Sequence, residues 1–239
     1  MNIAVIFAGG SGTRMNSKAR PKQFLEVNGK PIIIHTLELF ENHDEIDAII
    51  VSCIEGWIEY LDDLISLYRI NKVRSIVNGG NTGQLSIYNG LVAAENIATE
   101  NSIVLIHDGV RPLINEKVIS DNIENVKLYG SAITSAITKE TIMVVNEKNE
   151  IISIPSRKDS RIAKAPQSFY LDEIIDIHRR ALQEGVTDSI DSCTLMKQYG
   201  KELVMIDGPY ENIKITTPDD FYTFRALLEV KENSQIFGY

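Results

Sequence analysis

The 239-residue chain has only two cysteines, Cys53 and Cys193, and neither belongs to a Cys-x-x-Cys pair. No disulfide framework can be built from them, and a reducing cytoplasm is the expected location. No run approaches the ~20 apolar residues of a membrane span. The first residues, Met1 to Val5, lack a basic stretch followed by a cleavage site, so no export signal is expected. Basic residues are in the minority, 24 Lys and Arg against 33 Asp and Glu, for a formal net charge of −9. Such an acidic chain is poorly suited to coat nucleic acid or an anionic membrane, although local basic clusters remain compatible with a small phosphate ligand. Internal repeats and low-complexity segments are also missing. Collagen, coiled coil, repeat array and secreted mini-protein are therefore excluded.

What is present is a globular composition, 44% hydrophobic and 24% charged. It alternates short β-branched runs with helical patterns. Strands are expected at Ile3–Phe7, Ala48–Val51, Val73–Val77, Ser102–Ile106, Ala132–Ile137 and Glu202–Ile206. Helices are expected at Pro31–Phe40, at Trp57–Tyr68, from a cap at Asn81 or Thr82 to about Ala98, and at Val118–Leu128. Further helices are expected from Leu171 to about Glu184, from about Ser189, and from Pro218. Strand–helix alternation of this length implies an α/β fold: a mostly parallel sheet with helices on both faces. Residues 138–164 break the pattern and carry Lys139, Arg157, Lys158, Arg161 and Lys164. They read as a protruding β-arm around a turn at Asn146–Asn149, an excursion from one domain spanning 1–239.

In a parallel sheet, ligands sit beyond the carboxyl ends of the strands, so the loops after Phe7, Val77 and Ile106 carry the chemistry. The first is Ala8-Gly9-Gly10-Ser11-Gly12-Thr13-Arg14-Met15. Glycines there let backbone N–H groups approach an anion. A P-loop is excluded because Gly-Lys-Ser/Thr is absent, and a dinucleotide fingerprint fails because Met15 stands where its third glycine belongs. A loop wrapped around a nucleoside triphosphate, with Arg14 as clamp and Lys22 as second cation, fits the residues. A plain strand-to-helix turn is the alternative. Asp108, ending the fourth strand, suits Mg²⁺ held by one carboxylate plus substrate phosphates. A helix N-cap or a partner for Arg111 is the alternative there. His107 reads as a packed, hydrogen-bonded side chain, and His35, His43 and His178 fit helix faces or ends.

The ordered set is more specific than its parts. Phe7 to Met15, Pro21-Lys22-Gln23-Phe24-Leu25, Gly29-Lys30-Pro31, Gly79-Gly80, Ser86, His107-Asp108, Arg111-Pro112, Thr141, Arg157, Ala165-Pro166-Gln167, Thr187-Asp188 and Asn212-Ile213-Lys214 span nearly the whole chain. This set resembles the nucleotidyltransferases that activate sugar and polyol phosphates. Within them it is most similar to cytidylyltransferases acting on 2-C-methyl-D-erythritol 4-phosphate and ribitol 5-phosphate.

The resemblance implies a Rossmann-like sheet of the nucleotide-diphospho-sugar transferase type, with CTP and a polyol phosphate as substrates and Mg²⁺ as cofactor. It places the triphosphate on Gly9, Gly10, Ser11, Gly12 and Thr13, and the cytosine beside Ala8, Gly80, Asn81 and Ser86. Arg14, Lys22 and Lys214 become the catalytic cations and Asp108 the metal ligand. Arg111, Thr141, Arg157 and Asn212 become acceptor-binding residues, with Thr141 and Arg157 reaching across from the second subunit of a homodimer. The product would be a CDP-polyol for cell-wall or capsule polymers.

Ribitol 5-phosphate or a related pentitol phosphate is the first acceptor, on the strength of Gly9. Methylerythritol phosphate is the alternative, and a nucleotide-binding protein without turnover is the alternative of another class. The chain departs from the family pattern at Gly83 and Leu85, where many relatives carry Arg and an acidic residue, leaving Gln84 as a polar substitute. Physical chemistry points the same way. A phosphate monoester, with a second pKa of about 6, is already a nucleophile near neutral pH. The barrier lies in bringing anions together, which calls for positioned cations rather than a general base.

Overall fold

A computed structural model of the chain describes residues 1–10 and 20–237. The elements in order are β1 (Asn2–Ala8), β2 (Glu26–Val27), β3 (Lys30–Pro31), α1 (Ile32–Glu41), β4 (Ala48–Cys53), α2 (Ile58–Leu67), β5 (Val73–Asn78) and α3 (Gly83–Glu95). There follow β6 (Ile103–Asp108), α4 (Glu116–Tyr129), β7 (Ser131–Ile137), β8 (Val144–Val145), β9 (Ile151–Ser153), β10 (Arg161–Tyr170), α5 (Leu171–Gln183), α6 (Ser192–Gln198), β11 (Met205–Asp207) and α7 (Pro218–Phe237).

Seven strands form one sheet in the order β11-β7-β10-β6-β1-β4-β5. All run parallel except β10, which pairs antiparallel with both β6 and β7. Side-chain alternation sorts β1 onto two faces. Ala4, Ile6 and Ala8 join the core under α1, α2 and α4, whereas Ile3 and Val5 join the core under α3, α5 and α6. The helices therefore cover both faces, as the alternation of elements implied. A smaller cluster of Val27, Ile32, Val110, Ile215 and Phe224 seats α7 against the start of α1.

The chain builds β4 and β5 on one side of β1 and then crosses to add β6 on the other. That reversal opens a crevice at the carboxyl ends of β1 and β6. Phe7 and Asp108 are register partners at this point.

Local chemistry explains most element ends. Thr82, not Asn81, caps α3, accepting a hydrogen bond from Leu85 N at 3.1 Å. Asn115 caps α4 through Val118 N at 3.0 Å. Helix α6 begins at Ser192 rather than 189, because the Asp191 carboxylate accepts from Thr194 N at 2.7 Å. Thr187 and Asp188 thus lie in the preceding loop and cap nothing. Helix α3 stops at Glu95, short of Ala98, and the late strand runs Met205–Asp207. The β2–β3 hairpin was not anticipated, although Asn28 and Gly29, both at positive φ (52° and 73°), give it the Asn-Gly turn such hairpins favour.

The largest correction is β10. The sequence placed residues up to Lys164 in the arm, but Arg161–Lys164 belong to the central sheet. Pro166 argued against a strand, since proline cannot donate to a ladder. It is tolerated because the register on β7 shifts between Ala163 and Gln167, leaving that stretch out of the ladder. A buried network then locks β10 in place. Ser168 Oγ donates to Asn122 Oδ1 at 2.7 Å, and Asn122 Nδ2 donates to Thr134 Oγ1 at 3.0 Å. The arm proper covers about 138–160, with the β8–β9 hairpin at its tip.

Candidate active site

Three loops meet at the carboxyl end of the sheet. After β1, Gly9 packs so closely that a Cβ there would lie 2.6 Å from Ser86 Oγ, and a Cβ on Gly79 would lie 2.9 Å from Gly9 Cα. Glycine at both positions is thus a packing requirement of the β1 and β5 loops. The Ser86 hydroxyl accepts from Gly80 N at 3.0 Å and donates to Thr82 O at 2.9 Å. Ser86 is therefore a staple of the β5–α3 loop, which brings Ala8, Gly9, Gly80 and Asn81 to one rim. Gly10 and Asn81 are exposed there. Ser11, Gly12, Thr13 and Arg14 lie outside the described residues.

The segment carrying Lys22 is tied to the same rim. Gln23, fully buried, donates from Nε2 to Ala8 O at 2.7 Å. The single-turn helix Lys22–Phe24 packs its Phe24 ring on Trp57, 4.9 Å between centroids. Gln23 thus ties the segment that carries Lys22 to the end of β1.

The electrostatic centre is Asp108. Its Oδ2 accepts from Arg111 Nε at 2.7 Å, and its Oδ1 faces Lys214 Nζ at 2.6 Å. Burial alone would push this carboxyl up, but the Lys214 and Arg111 charges outweigh it and hold its pKa well below the ordinary carboxylate range. Asp108 is therefore ionised at any pH of interest. The reading of Asp108 as a partner for Arg111 is realised, and Lys214 joins the pair. The Lys214 ammonium also lies 5.5 Å from the Phe7 ring centroid and is 39% exposed at its side chain, so it sits at the mouth.

His107 behaves as expected. It is fully buried, and its Nε2 shares a 3.0 Å hydrogen bond with Arg111 O, which makes Nε2 the protonated nitrogen. Desolvation lowers its pKa to about 4, so it is a neutral spacer behind Arg111.

Asn212 was expected to touch the acceptor. It is instead completely buried, with Nδ2 donating to Ala165 O at 2.6 Å. Its backbone carbonyl accepts from Arg111 Nη1 at 2.9 Å and from Lys164 Nζ at 3.0 Å. It positions cations rather than lining the site. Gln84 likewise offers no nucleobase contact. It is buried, donating to Val186 O and accepting from Ser189 N, both at 2.7 Å. It pins the 186–189 loop over the mouth.

A cavity of about 280 Å³ lies between these loops and β10, lined among others by Phe7, Gly83, Asp108, Arg111, Lys164 and Lys214. Gly83 opens it, for a Cβ there would meet nothing within 4 Å. Lys164 is the residue the sequence did not single out. No motif marks it, and only the bulge in β10 brings it here. A wider groove of about 420 Å³ runs between α1 and α7, but its Lys30 is already paired with Glu38 at 2.6 Å.

Thr141 and Arg157 come together as the sequence suggested, Arg157 Nη2 donating to Thr141 Oγ1 at 3.2 Å. Both are exposed on the arm, and neither lines the cavity of its own chain. Around them the arm presents Met143, Val145, Ile151, Ile152 and Ile154, each 48–64% exposed.

Among the described residues, no three His, Cys, Asp or Glu side chains form a metal cage. Asp108 is the type of ligand Mg²⁺ takes together with phosphates and water, and here both of its oxygens face cations, Arg111 and Lys214. Arg111 and Lys214 flank Asp108, and among the described residues lining the cavity no nucleophile–base pair is in contact, an arrangement that suits transfer between phosphates. No helix among the described residues is long and apolar enough to cross a membrane.

Comparison with known proteins agrees. The family described as IspD, 2-C-methyl-D-erythritol 4-phosphate cytidylyltransferase, matches residues 2–230. A ribitol-5-phosphate cytidylyltransferase of Streptococcus agalactiae serotype Ia is 57% identical over 238 residues, covering all of both chains. A 2-C-methyl-D-erythritol 4-phosphate cytidylyltransferase of Clostridium botulinum is 40% identical over 228 residues, covering 95% of this chain and 97% of its own. Among solved structures, 4-diphosphocytidyl-2C-methyl-D-erythritol synthase of Anaerococcus prevotii superposes with a TM-score of 0.82 at 28% identity, covering 95% of this chain and 96% of that one.

Proposed function

This chain belongs to the IspD family of cytidylyltransferases, and from that premise we propose that it transfers CMP from CTP to ribitol 5-phosphate or a related pentitol phosphate. The products are a CDP-polyol and pyrophosphate. The observation that carries the choice of acceptor is the full-length identity to the ribitol enzyme, well above that to the methylerythritol enzyme. The cavity agrees in size and charge. At about 280 Å³ it suits a small phosphorylated polyol, and its cations suit a dianion.

In this reading the acceptor's phosphate oxygen attacks the α-phosphorus of CTP and pyrophosphate leaves. The chain removes no proton from the nucleophile, which is already ionised. Its work is to hold anions together and to stabilise the extra charge at the α-phosphorus. The rim formed by Ala8, Gly9, Gly10, Gly80 and Asn81 receives the nucleotide, with the Ser86 staple fixing its shape. Arg14, Lys22 and Lys214 act on the phosphates. Lys214, half-exposed at the mouth, is placed to leave Asp108 for a phosphate oxygen. Asp108 would hold Mg²⁺, which when bound neutralises part of the triphosphate charge.

The arm supports a homodimer in which Thr141 and Arg157 serve the partner's cavity. A two-stranded hairpin is marginal alone, and an apolar tip this exposed calls for a covering surface. The two free cysteines favour a reducing cytoplasm as the site of the reaction, and a CDP-polyol suits the supply of cell-surface polymers.

Pyrophosphate release by the purified protein with CTP and Mg²⁺ decides the matter. Turnover is expected with ribitol 5-phosphate and other pentitol phosphates. Turnover with methylerythritol phosphate alone would reverse the assignment.

A further inference from the structure

Lys164 is 7% exposed, yet its ammonium has no carboxylate within ion-pair distance among the described residues. It donates instead to two backbone carbonyls, Tyr210 O and Asn212 O, each at 3.0 Å. A buried ammonium normally has a counter-ion, because desolvation of an unpaired charge is costly. Burial, reinforced by the Arg111 charge and opposed by Glu211, pushes its pKa below that of an ordinary lysine.

The charges lining the cavity do not balance. Arg111, Lys164 and Lys214 face two carboxylates, Asp108 and Asp191. Asp108 is shared by Arg111 and Lys214. Asp191 is held by Thr194 N and by Gln167 Nε2 at 3.0 Å. Lys164 is the positive charge left over. Two of its three ammonium hydrogens are engaged by the carbonyls, and the Tyr210 ring, 5.3 Å from the ammonium, supplies no counter-ion. The local fold is built for this. Between Ala163 and Gln167 the strand β10 leaves its register with β7, and its pairing with β6 begins only at Gln167. That bulge takes residue 164 out of the ladder and sets it against the cavity.

We propose that Lys164 binds the phosphate monoester of the acceptor, alongside Arg111, so that the bound dianion supplies the counter-charge this ammonium lacks. The proposal rests on the cytidylyl-transfer reading and adds a residue to it. Lys164 also grips the carbonyls of the 210–212 segment that leads to Lys214, so acceptor binding and the placement of Lys214 share one anchor.

Three full-length variants test this: Lys164→Met, which removes charge; Lys164→Gln, which retains a donor for the carbonyls; and Lys164→Arg, which retains charge. With CTP, Mg²⁺ and ribitol 5-phosphate, Lys164→Met and Lys164→Gln should each raise the acceptor KM by about tenfold or more, the scale of one charge-assisted hydrogen bond, with CTP KM nearly unchanged. Lys164→Arg should restore most of the acceptor affinity. If Lys164→Met does not fold, Lys164→Gln carries the test. An unchanged acceptor KM, or equal rises in both KM values, would make Lys164 a structural strap and overturn the proposal. Should the wild type turn over none of the alditol phosphates, the transfer reading has failed separately. Lys164 is then tested by calorimetry with inorganic phosphate in the presence of a CTP analogue bearing an α,β-methylene bridge. Loss of phosphate affinity in Lys164→Gln would sustain the site, and equal affinity would remove it.

Discussion

Asp108 holds two cations with one charge, and that ratio governs what each neighbouring side chain can do. Arg111 is the less exposed partner, its guanidinium also bonded to Asn212 O, so it is fixed. Lys214 is the more exposed partner and makes one ion contact to Asp108, so it is the cation that can move to a phosphate. Lys214→Ala should therefore lower kcat by more than about tenfold, because transition-state charge loses a preorganised donor. Its CTP KM should change little, since ground-state binding is shared with other cations. The fold should survive, because Asp108 keeps Arg111 at 2.7 Å. Steady-state pyrophosphate release reads both constants, and an unchanged kcat would remove Lys214 from the reaction. At this scale the sequence was a good guide where a residue ends a strand. Asp108 follows an apolar run, so its place at the sheet's rim can be read directly. Asn212 and Lys164 could not be read this way. Whether an Asn faces a ligand or a backbone carbonyl depends on tertiary packing, and no periodicity records it.

The elements that matter most are those that leave the sheet. The arm carries Arg157 and Thr141 in contact with each other but away from the cavity of their own chain. If a second copy receives them, two independent lesions should give one phenotype. Arg157→Ala removes the guanidinium, which is suited to bidentate phosphate binding. Ile152→Asp with Ile154→Asp puts charge on the apolar tip. Both should raise acceptor KM by about tenfold with CTP KM nearly constant, on the scale of one lost charge-assisted contact. Only the second should convert a dimer to a monomer in sedimentation. A monomeric wild type with full activity would refute the shared arm. The arm was legible because its residues lose the helical period and carry a turn at Asn146–Asn149. The strand that follows was not, because Pro166 and the mixed polarity of Arg161–Tyr170 speak against a central strand. What overrides them is tertiary: a bulge that excuses the proline, and the Asn122–Ser168 bond that fixes the register. The parallel strands, by contrast, are continuous apolar runs between helical patterns and could be placed from the sequence, whereas their order in the sheet could not.

At the scale of the whole molecule, the net charge of −9 and the cationic crevice are opposite in sign, so the positive field is local and depends on the fold staying closed around it. Two buried imidazoles set the acid limit of that fold. His107 and His178 have their pKa values lowered from 6.5 to about 4, both by desolvation. Among the described residues His178 has no hydrogen-bond partner at either ring nitrogen, and it stacks 6.0 Å from Tyr88. A lowered folded pKa means that the unfolded chain binds more protons than the native one between about pH 4 and pH 6.5. Stability is therefore intact above 6.5 and is lost as pH falls through this window, by up to about 1.4 kcal/mol per pH unit for each ring. His35, also lowered chiefly by desolvation, adds in the same direction. Below this range Asp108 follows suit, since a carboxyl held low by Lys214 and Arg111 stabilises the fold only while ionised. Thermal melts from pH 7 to pH 4.5 should thus show a falling Tm. His178→Phe, which keeps the ring stack and breaks no hydrogen bond, should flatten that slope and raise Tm at pH 5 relative to the wild type. Parallel curves for the two proteins would mean that His178 takes up its proton inside the native state, and the acid limit would then have to come from His107 and the carboxylates alone.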